Sequence, residues 1–301
     1  ISEWGSNNFM HSRGEVRSFL QSCANYWLQT FHFDGLRMDA ISRIIYWHGD
    51  EKRGVNGNAV DFIKYMNQGL KDRNPGCFLA AEDSTNFANV TKSVSEGGLG
   101  FDYKWDMGWM HDTLSYFQMS PDDRYNNYHK LTFSMMYYYN EKFLLPLSHD
   151  EVVHGKATIL QKMYGDYDIK FPQARAFYMY MMVHPGKKLN FMGNELGQFR
   201  EWDEKREQDF MLLDFPIHRA FNNYIADLNK NYLSHSAFFG KEYDYDGFKW
   251  LDCNSPDRLM YSILREDNKS RIFAIFNFSK YEQIDYRIEL PDNKGVNILM
   301  N

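Results

Sequence analysis

Three carboxylates follow short apolar runs: Asp39 in GLRMDAI, Glu82 in LAAED and Asp150 in LSHDE. Two carboxyl groups flanking a glycosidic bond, one ionised and one protonated, can cleave it. A third can stabilise the oxocarbenium-like charge or hold sugar hydroxyls. Arg37 lies two residues before Asp39, so on a strand both side chains point to the same side. A fixed guanidinium there keeps Asp39 ionised and aims it. His149, next to Asp150, is suited to donate hydrogen bonds to sugar hydroxyls. Taken singly, each of these is weak: an acidic residue after a strand is more often a helix cap or a solvated loop residue.

The elements that must position these groups alternate. Apolar runs at 33–38, 77–81, 101–105, 143–147 and 188–192 read as strands. Helical spacing of apolar residues marks 12–31, with Ser12 and Glu15 forming a capping-box pattern, and 58–73, 128–139, 171–183 and 216–233. Strands alternating with helices predict an α/β fold with a parallel sheet. Each strand ends in a polar cluster: Arg37 and Asp39, Glu82 and Asp83, Asp106, His149 and Asp150, Asn194 and Glu195. Polar strand ends build the active face of a (β/α)8 barrel, but an open doubly wound sheet binds ligands at the same place. No glycine-rich phosphate loop follows any strand, which weakens a nucleotide-binding reading. Beyond residue 236 the period changes to 2, with strands expected at 247–252, 259–265, 271–277 and 286–290. The expected organisation is therefore a barrel-type region over 1–235 and a small all-β sandwich over 236–301.

Composition narrows the function classes. The chain has 301 residues, 44% hydrophobic and 25% charged, which is globular rather than disordered. A net charge of −6 with no basic block argues against a nucleic-acid partner. No stretch of about 18 uncharged apolar residues exists, so no membrane helix is expected. Aromatics reach 17%, which fits either a large core or a groove whose flat rings meet sugar faces. Cys23, Cys77 and Cys253 are few and far apart, as in a reducing, cytoplasmic setting. His111, His129 and His154 are scattered singly, without HExxH or clustered cysteines, so neither a metal site nor a cofactor is expected.

The segments GLRMDAI, AAED, LSHDEVVHGK, KWDMGWMHD and LNFMGNELGQFREW together resemble the α-amylase superfamily, and within it the 1,4-α-glucan branching enzymes. The resemblance runs through nearly the whole chain. It implies Asp39 as nucleophile, Glu82 as general acid/base and Asp150 as transition-state stabiliser. It also implies substrate contacts from Arg37 and His149; Trp105, Trp109 and Trp202 are candidates either for sugar stacking or for core and rim packing. The implied fold is about strands four to eight of the (β/α)8 barrel, followed by the β domain. The implied reaction cleaves an α-1,4 bond with retention and transfers the oligoglucan to a 6-hydroxyl, forming an α-1,6 branch in glycogen biosynthesis. The alternatives are an α-glucan hydrolase of the same superfamily and a non-catalytic glucan-binding protein. The expected partner is an α-1,4-glucan, and the full-length protein is expected to be monomeric.

Two departures from the family pattern stand out. The superfamily's earliest motif, ending in a sugar-contacting His, has no counterpart in the 38 residues before Asp39. The chain is therefore expected to lack the first three strands and the N-terminal β domain, and to be unstable and inactive by itself. The residue after the acid/base is Asp83, where the family often has Glu.

Overall fold

The computed structural model describes residue 5, residues 7–290 and residues 295–301. The chain divides into two compact units. The first comprises residues 1–107 and 140–144, the second 108–139 and 145–301.

The first unit carries the helices α1 (Gly14–Thr30), α2 (Ser42–Ile45) and α3 (Gly57–Arg73) and the strands β1 (Gly35–Met38), β2 (Phe78–Ala81) and β3 (Tyr103–Trp105). It also holds the first two residues of β4 (Phe143–Leu147). The pairing is parallel at every step, with Arg37 opposite Ala80, Ala81 opposite Lys104 and Trp105 opposite Leu144. In the second unit the rest of β4 neighbours β5 (Lys187–Asn190). Strand order thus follows chain order through both units, with none of the reversal that marks a doubly wound sheet. This is the winding of a (β/α)8 barrel, with five of its strands among the described residues.

Gly35 is required where β1 meets β2. A Cβ there would lie 2.4 Å from the Phe78 carbonyl oxygen. The core of the first unit gathers Ile41, Ile45, Phe62, Ile63, Leu79 and Phe101. Two tethers hold its loops. Asp102 accepts from Lys71 Nζ at 2.7 Å and from the Leu79 amide at 2.8 Å, while Glu141 accepts from the amides of Val90 and Thr91.

In α1 the expected capping box does not form. A turn closes between the Arg13 amide and the Met10 carbonyl at 3.0 Å, so Arg13 takes the extended boundary position and no side chain caps the helix. The apolar face read from the spacing is also largely wet: Phe19, Tyr26 and Trp27 are exposed, as are Phe31 and Phe33 just before the edge strand β1. Trp27 and Phe33 stack on each other, with ring centres 5.7 Å apart.

The second unit contains α4 (Met107–Gln118, after its first residue), α5 (Ile159–Lys162), α6 (Tyr167–Val183) and α7 (Pro216–Ser234). Residues 128–139, expected as one helix, form separate 3-10 turns at Tyr125–Lys130, Phe133–Met136 and Tyr138–Asn140. Polar side chains there compete with the helical ladder. Asn127 donates to the Asp123 carbonyl and Thr132 to that of His129. Two buried tyrosines anchor the segment elsewhere, Tyr128 on the Met260 carbonyl and Tyr138 on that of Glu242.

Three antiparallel strands follow, β6 (Phe248–Ser255), β7 (Met260–Glu266) and β8 (Arg271–Asn277), in the order β6-β7-β8. The expected strand at 286–290 is absent. That segment runs as coil, with Tyr286 held by its hydroxyl on Asp252 at 2.8 Å. Tyr261 of β7 stacks on Tyr128 with ring centres 4.2 Å apart.

Arg265, fully buried on β7, donates to the carbonyls of Gly247, Val183 and Phe238 at 3.0, 2.8 and 2.7 Å and lies 3.5 Å from Glu242. Removing it takes the donor from three buried carbonyls and the nearer cation from the buried Glu242, which keeps the Gly186 amide and Lys187, 3.8 Å away. Arg265→Met is expected to cost roughly 3–5 kcal/mol, read as a lower urea midpoint at unchanged slope.

Candidate active site

Asp39 and Glu82 are the first side chains past the ends of β1 and β2, and Arg37 lies within β1. Parallel pairing in register brings the two strand ends side by side. The Glu82 amide donates to the Met38 carbonyl, and the Glu82 carbonyl accepts from the Ile41 amide, both at 3.0 Å. Ala40, between them, is left-handed with φ of 40°, a strained setting for a residue with a Cβ. That turn aims the Ala40 amide at Glu82 Oε2, 3.3 Å away.

The three side chains form one cluster. Arg37 Nη2 contacts Asp39 Oδ1 at 2.6 Å and also donates to Glu82 Oε2. A carboxylate oxygen of Asp39 lies within 4.8 Å of one on Glu82. Their settings differ. The Asp39 side chain is 73% exposed and that of Glu82 is 19% exposed. Burial, then hydrogen bonding and charge repulsion from Asp39, push the Glu82 carboxyl above its ordinary value, while the Arg37 charge and the Ala40 amide oppose the rise. One acid is thus wet and the other is biased toward holding a proton, the division of labour that acid-assisted displacement needs.

Removing the Arg37 charge removes an opposing influence. In Arg37→Met the Glu82 carboxyl is expected to stay protonated to a higher pH than in the parent. A 13C NMR titration of the Glu82 carboxyl checks it, and an unchanged or lowered midpoint would contradict the cluster's electrostatics.

Of the two readings open for Trp105 and Trp109, the structure favours packing over sugar stacking. Trp105 is 5% exposed and Trp109 is 1% exposed, so neither offers an open ring face to a sugar. Trp105 lies beneath Arg37 instead, with the guanidinium carbon 4.2 Å from the ring centre. It backs the residue that contacts both carboxylates. Trp109 packs against Phe177 and His184 in the core of the second unit.

Asp83, the residue where the family often has Glu, faces away from the carboxylate pair. It is buried in an ion pair with Lys104, Nζ to Oδ2 2.8 Å. Asp106 is buried too, its amide on the Leu144 carbonyl at 2.8 Å.

In the second unit His149 and Asp150 open a short 3-10 turn just past β4. The Ser148 hydroxyl accepts from the Asp150 amide, and His149 Nε2 lies 3.3 Å from Asp150 Oδ1. Both line a cavity of about 480 Å³ with His154, Arg200, Glu201 and Trp202. Trp202 stands edge-on to Phe191, ring centres 5.3 Å apart at 90°. Glu201 holds the facing loop by accepting from the amides of Gly155 and Ala157 at 2.9 and 2.7 Å. The sequence reading had not singled out Arg200 or Glu201, although both lie inside the quoted segment GQFREW. Asn194 and Glu195 turn back on their own loop. Asn194 donates to Asn190 Oδ1, and Glu195 accepts from the Gly193 amide. Among the described residues no helix is long and apolar enough to cross a membrane, and the three cysteines are free.

Comparisons with known proteins agree with this scaffold. No family model matches the chain. It is 45% identical, over 96% of its length, to the 1,4-alpha-glucan branching enzyme GlgB 2 of Clostridium perfringens, strain SM101, covering 46% of that protein. It is 42% identical over 96% of its length to the GlgB branching enzyme of Geobacillus stearothermophilus, covering 45% of it. The chain therefore spans a little under half the length of these curated relatives. Among solved structures, a cyclomaltodextrinase superposes with a TM-score of 0.58 at 18% identity, over 88% of this chain and 40% of that one. An α-amylase of Geobacillus thermoleovorans in complex with acarbose gives 0.59 at 15% identity, over 92% of this chain and 55% of that one. Those two show the fold alone. The chain is a homologue of the 1,4-α-glucan branching enzymes, built on the α-amylase barrel scaffold.

Proposed function

We propose that this chain carries catalytic residues of a 1,4-α-glucan branching enzyme acting by retaining transglycosylation. The observation that carries the reading is the pairing of Asp39 and Glu82 on one guanidinium, with carboxylate oxygens within 4.8 Å. Retaining enzymes hold their two carboxyls about 5–5.5 Å apart, whereas inverting ones need about 6.5–9.5 Å to admit a water.

Asp39, exposed beyond the end of β1, attacks the anomeric carbon of an α-1,4-glucan. Glu82, protonated, gives its proton to the departing 4-oxygen as the bond from C1 to that oxygen breaks. The cleaved oligoglucan stays bonded to Asp39. Glu82, now ionised, takes the proton from the 6-hydroxyl of an acceptor chain. That oxygen bonds C1 as the bond to Asp39 breaks, and two inversions leave the α configuration. Arg37 holds both carboxylates through the cycle. The LSHDE motif assigns charge stabilisation to Asp150 and a hydroxyl contact to His149. The cavity beside them, with Trp202 on its wall, has the size and polarity to take sugar residues. The relatives' names supply the donor, an α-1,4-glucan.

The test uses the full-length gene product and amylose. Falling iodine absorbance at constant reducing ends, with α-1,6 linkages found on debranching, is the expected result. Rising reducing ends without branches would make the protein a hydrolase, and no change in either would leave glucan binding as its function.

A further inference from the structure

Glu82 is held from two sides, and only one of them belongs to the chemistry above. On the β1 side its backbone bonds to Met38 and Ile41, and its carboxylate meets Arg37. On the β3 side the next residue, Asp83, is fixed by Lys104. The Lys104 ammonium donates to Asp83 Oδ2 at 2.8 Å and to the Thr85 carbonyl at 2.9 Å. Asp83 Oδ1 in turn accepts from the Thr85 amide and hydroxyl at 3.0 and 2.9 Å. Asp83 and Lys104 are both buried. A buried pair of this kind is a weak source of net stability, because desolvation offsets its attraction. Its value lies in geometry: a short carboxylate and an ammonium locked by four contacts fix where the peptide between Glu82 and Asp83 lies. Strand alternation sends neighbouring side chains to opposite sides. Lys104 therefore backs Glu82 through Asp83, while Trp105, the next residue, backs Arg37.

We propose that Lys104, acting through Asp83, is a positioning residue that holds the Glu82 carboxyl against Arg37 and Asp39, so that one short strand, β3, orients both the acid and its guanidinium partner. This rests on the assignment of Glu82 as acid/base.

The test compares the full-length protein with Asp83→Asn/Lys104→Met. The double variant removes both charges together and leaves an amide oxygen for Thr85, so no buried ion is stranded. A carboxyl displaced by about 1 Å is expected to lower kcat by on the order of 10²-fold, with KM for amylose little changed. The pH profile separates positioning from simple support. Glu82 must be protonated to start the reaction, so activity falls as pH rises through its pKa. Loosened into water, Glu82 titrates lower, and the alkaline limb is expected to move to lower pH. A double variant with parental kcat and limb would overturn the proposal. So would one that loses activity and melting temperature together while the limb stays put.

The parent protein, run alongside, reports on the underlying assignment. If it hydrolyses instead of branching, the branching reading fails, yet the limb comparison stands because donor cleavage is common to both. If it does neither, 13C titration of the Glu82 carboxyl in parent and double variant decides the matter without turnover. A lowered midpoint in the double variant supports the clamp, and an equal one refutes it.

Discussion

Asp39→Ala is expected to lower turnover of amylose by on the order of 10⁵-fold, close to the loss seen when a covalent nucleophile is removed from a catalytic unit. No other carboxylate of the cluster can substitute. Glu82 is mostly enclosed and biased toward its protonated form, whereas the Asp39 side chain is 73% exposed and can meet a substrate carbon. The variant should still fold, since an exposed side chain is removed and the backbone bonds of the 38–41 turn remain. Added azide sharpens the result. It fits the space vacated by the carboxylate, attacks the same face of the anomeric carbon, and should yield a glucosyl azide of inverted configuration while Glu82 protonates the leaving oxygen. Chromatography and NMR of the product identify it. Turnover within tenfold of the parent, without azide, would remove Asp39 from the reaction.

Glu82→Gln is expected to lower kcat for amylose by about 10²–10⁴-fold, the range for losing a positioned general acid. The amide keeps the size of the side chain and its contact with the Ala40 amide, so the loss belongs to the proton. Two further readings separate this from damage to the site. Donors with a leaving group that needs no proton, such as an α-glucosyl fluoride, should lose far less in the first step than amylose does. The alkaline limb of the pH profile should also disappear. In the parent that limb marks deprotonation of a carboxyl whose pKa is raised, chiefly by burial, so activity is present below that value and lost above it. A limb that persists in Glu82→Gln at the parent's position would point to another acid.

Much of the scaffold was legible because local signals agreed with tertiary demands. The helix expected at 58–73 appears as Gly57–Arg73, and that at 216–233 as Pro216–Ser234, started by its proline. The strand at 143–147 appears with the expected bounds, all five residues buried. Reading failed where side-chain polarity and spacing gave different answers. The 128–139 segment has helical spacing, but Asn127 just before it and Thr132 within it bond locally, and its tyrosines are anchored elsewhere. Helix α4 was missed because its start, WDMGW, looks like the end of a strand and carries a glycine. At the site, Asp39, Arg37 and Glu82 were named from motifs within single strands. Their supports were not legible. That Trp105 lies under Arg37, and that Lys104 answers Asp83, depends on how β1, β2 and β3 register, and no local pattern encodes register between strands 20 or more residues apart. The doubled acid in LAAED was the available clue, since a buried second carboxylate demands a cation.

One nitrogen atom, Nη2 of Arg37, touches both carboxylates. For heredity this makes three codons behave as one trait. A lineage that loses any of the three has little left for selection to maintain in the other two, so decay at this site should be abrupt rather than gradual. Adaptation to a new acidity faces the same constraint, because neither carboxylate can be retuned by exchange without disturbing its partner. Evolutionary adjustment is therefore channelled outside the trio, into residues that touch none of the three.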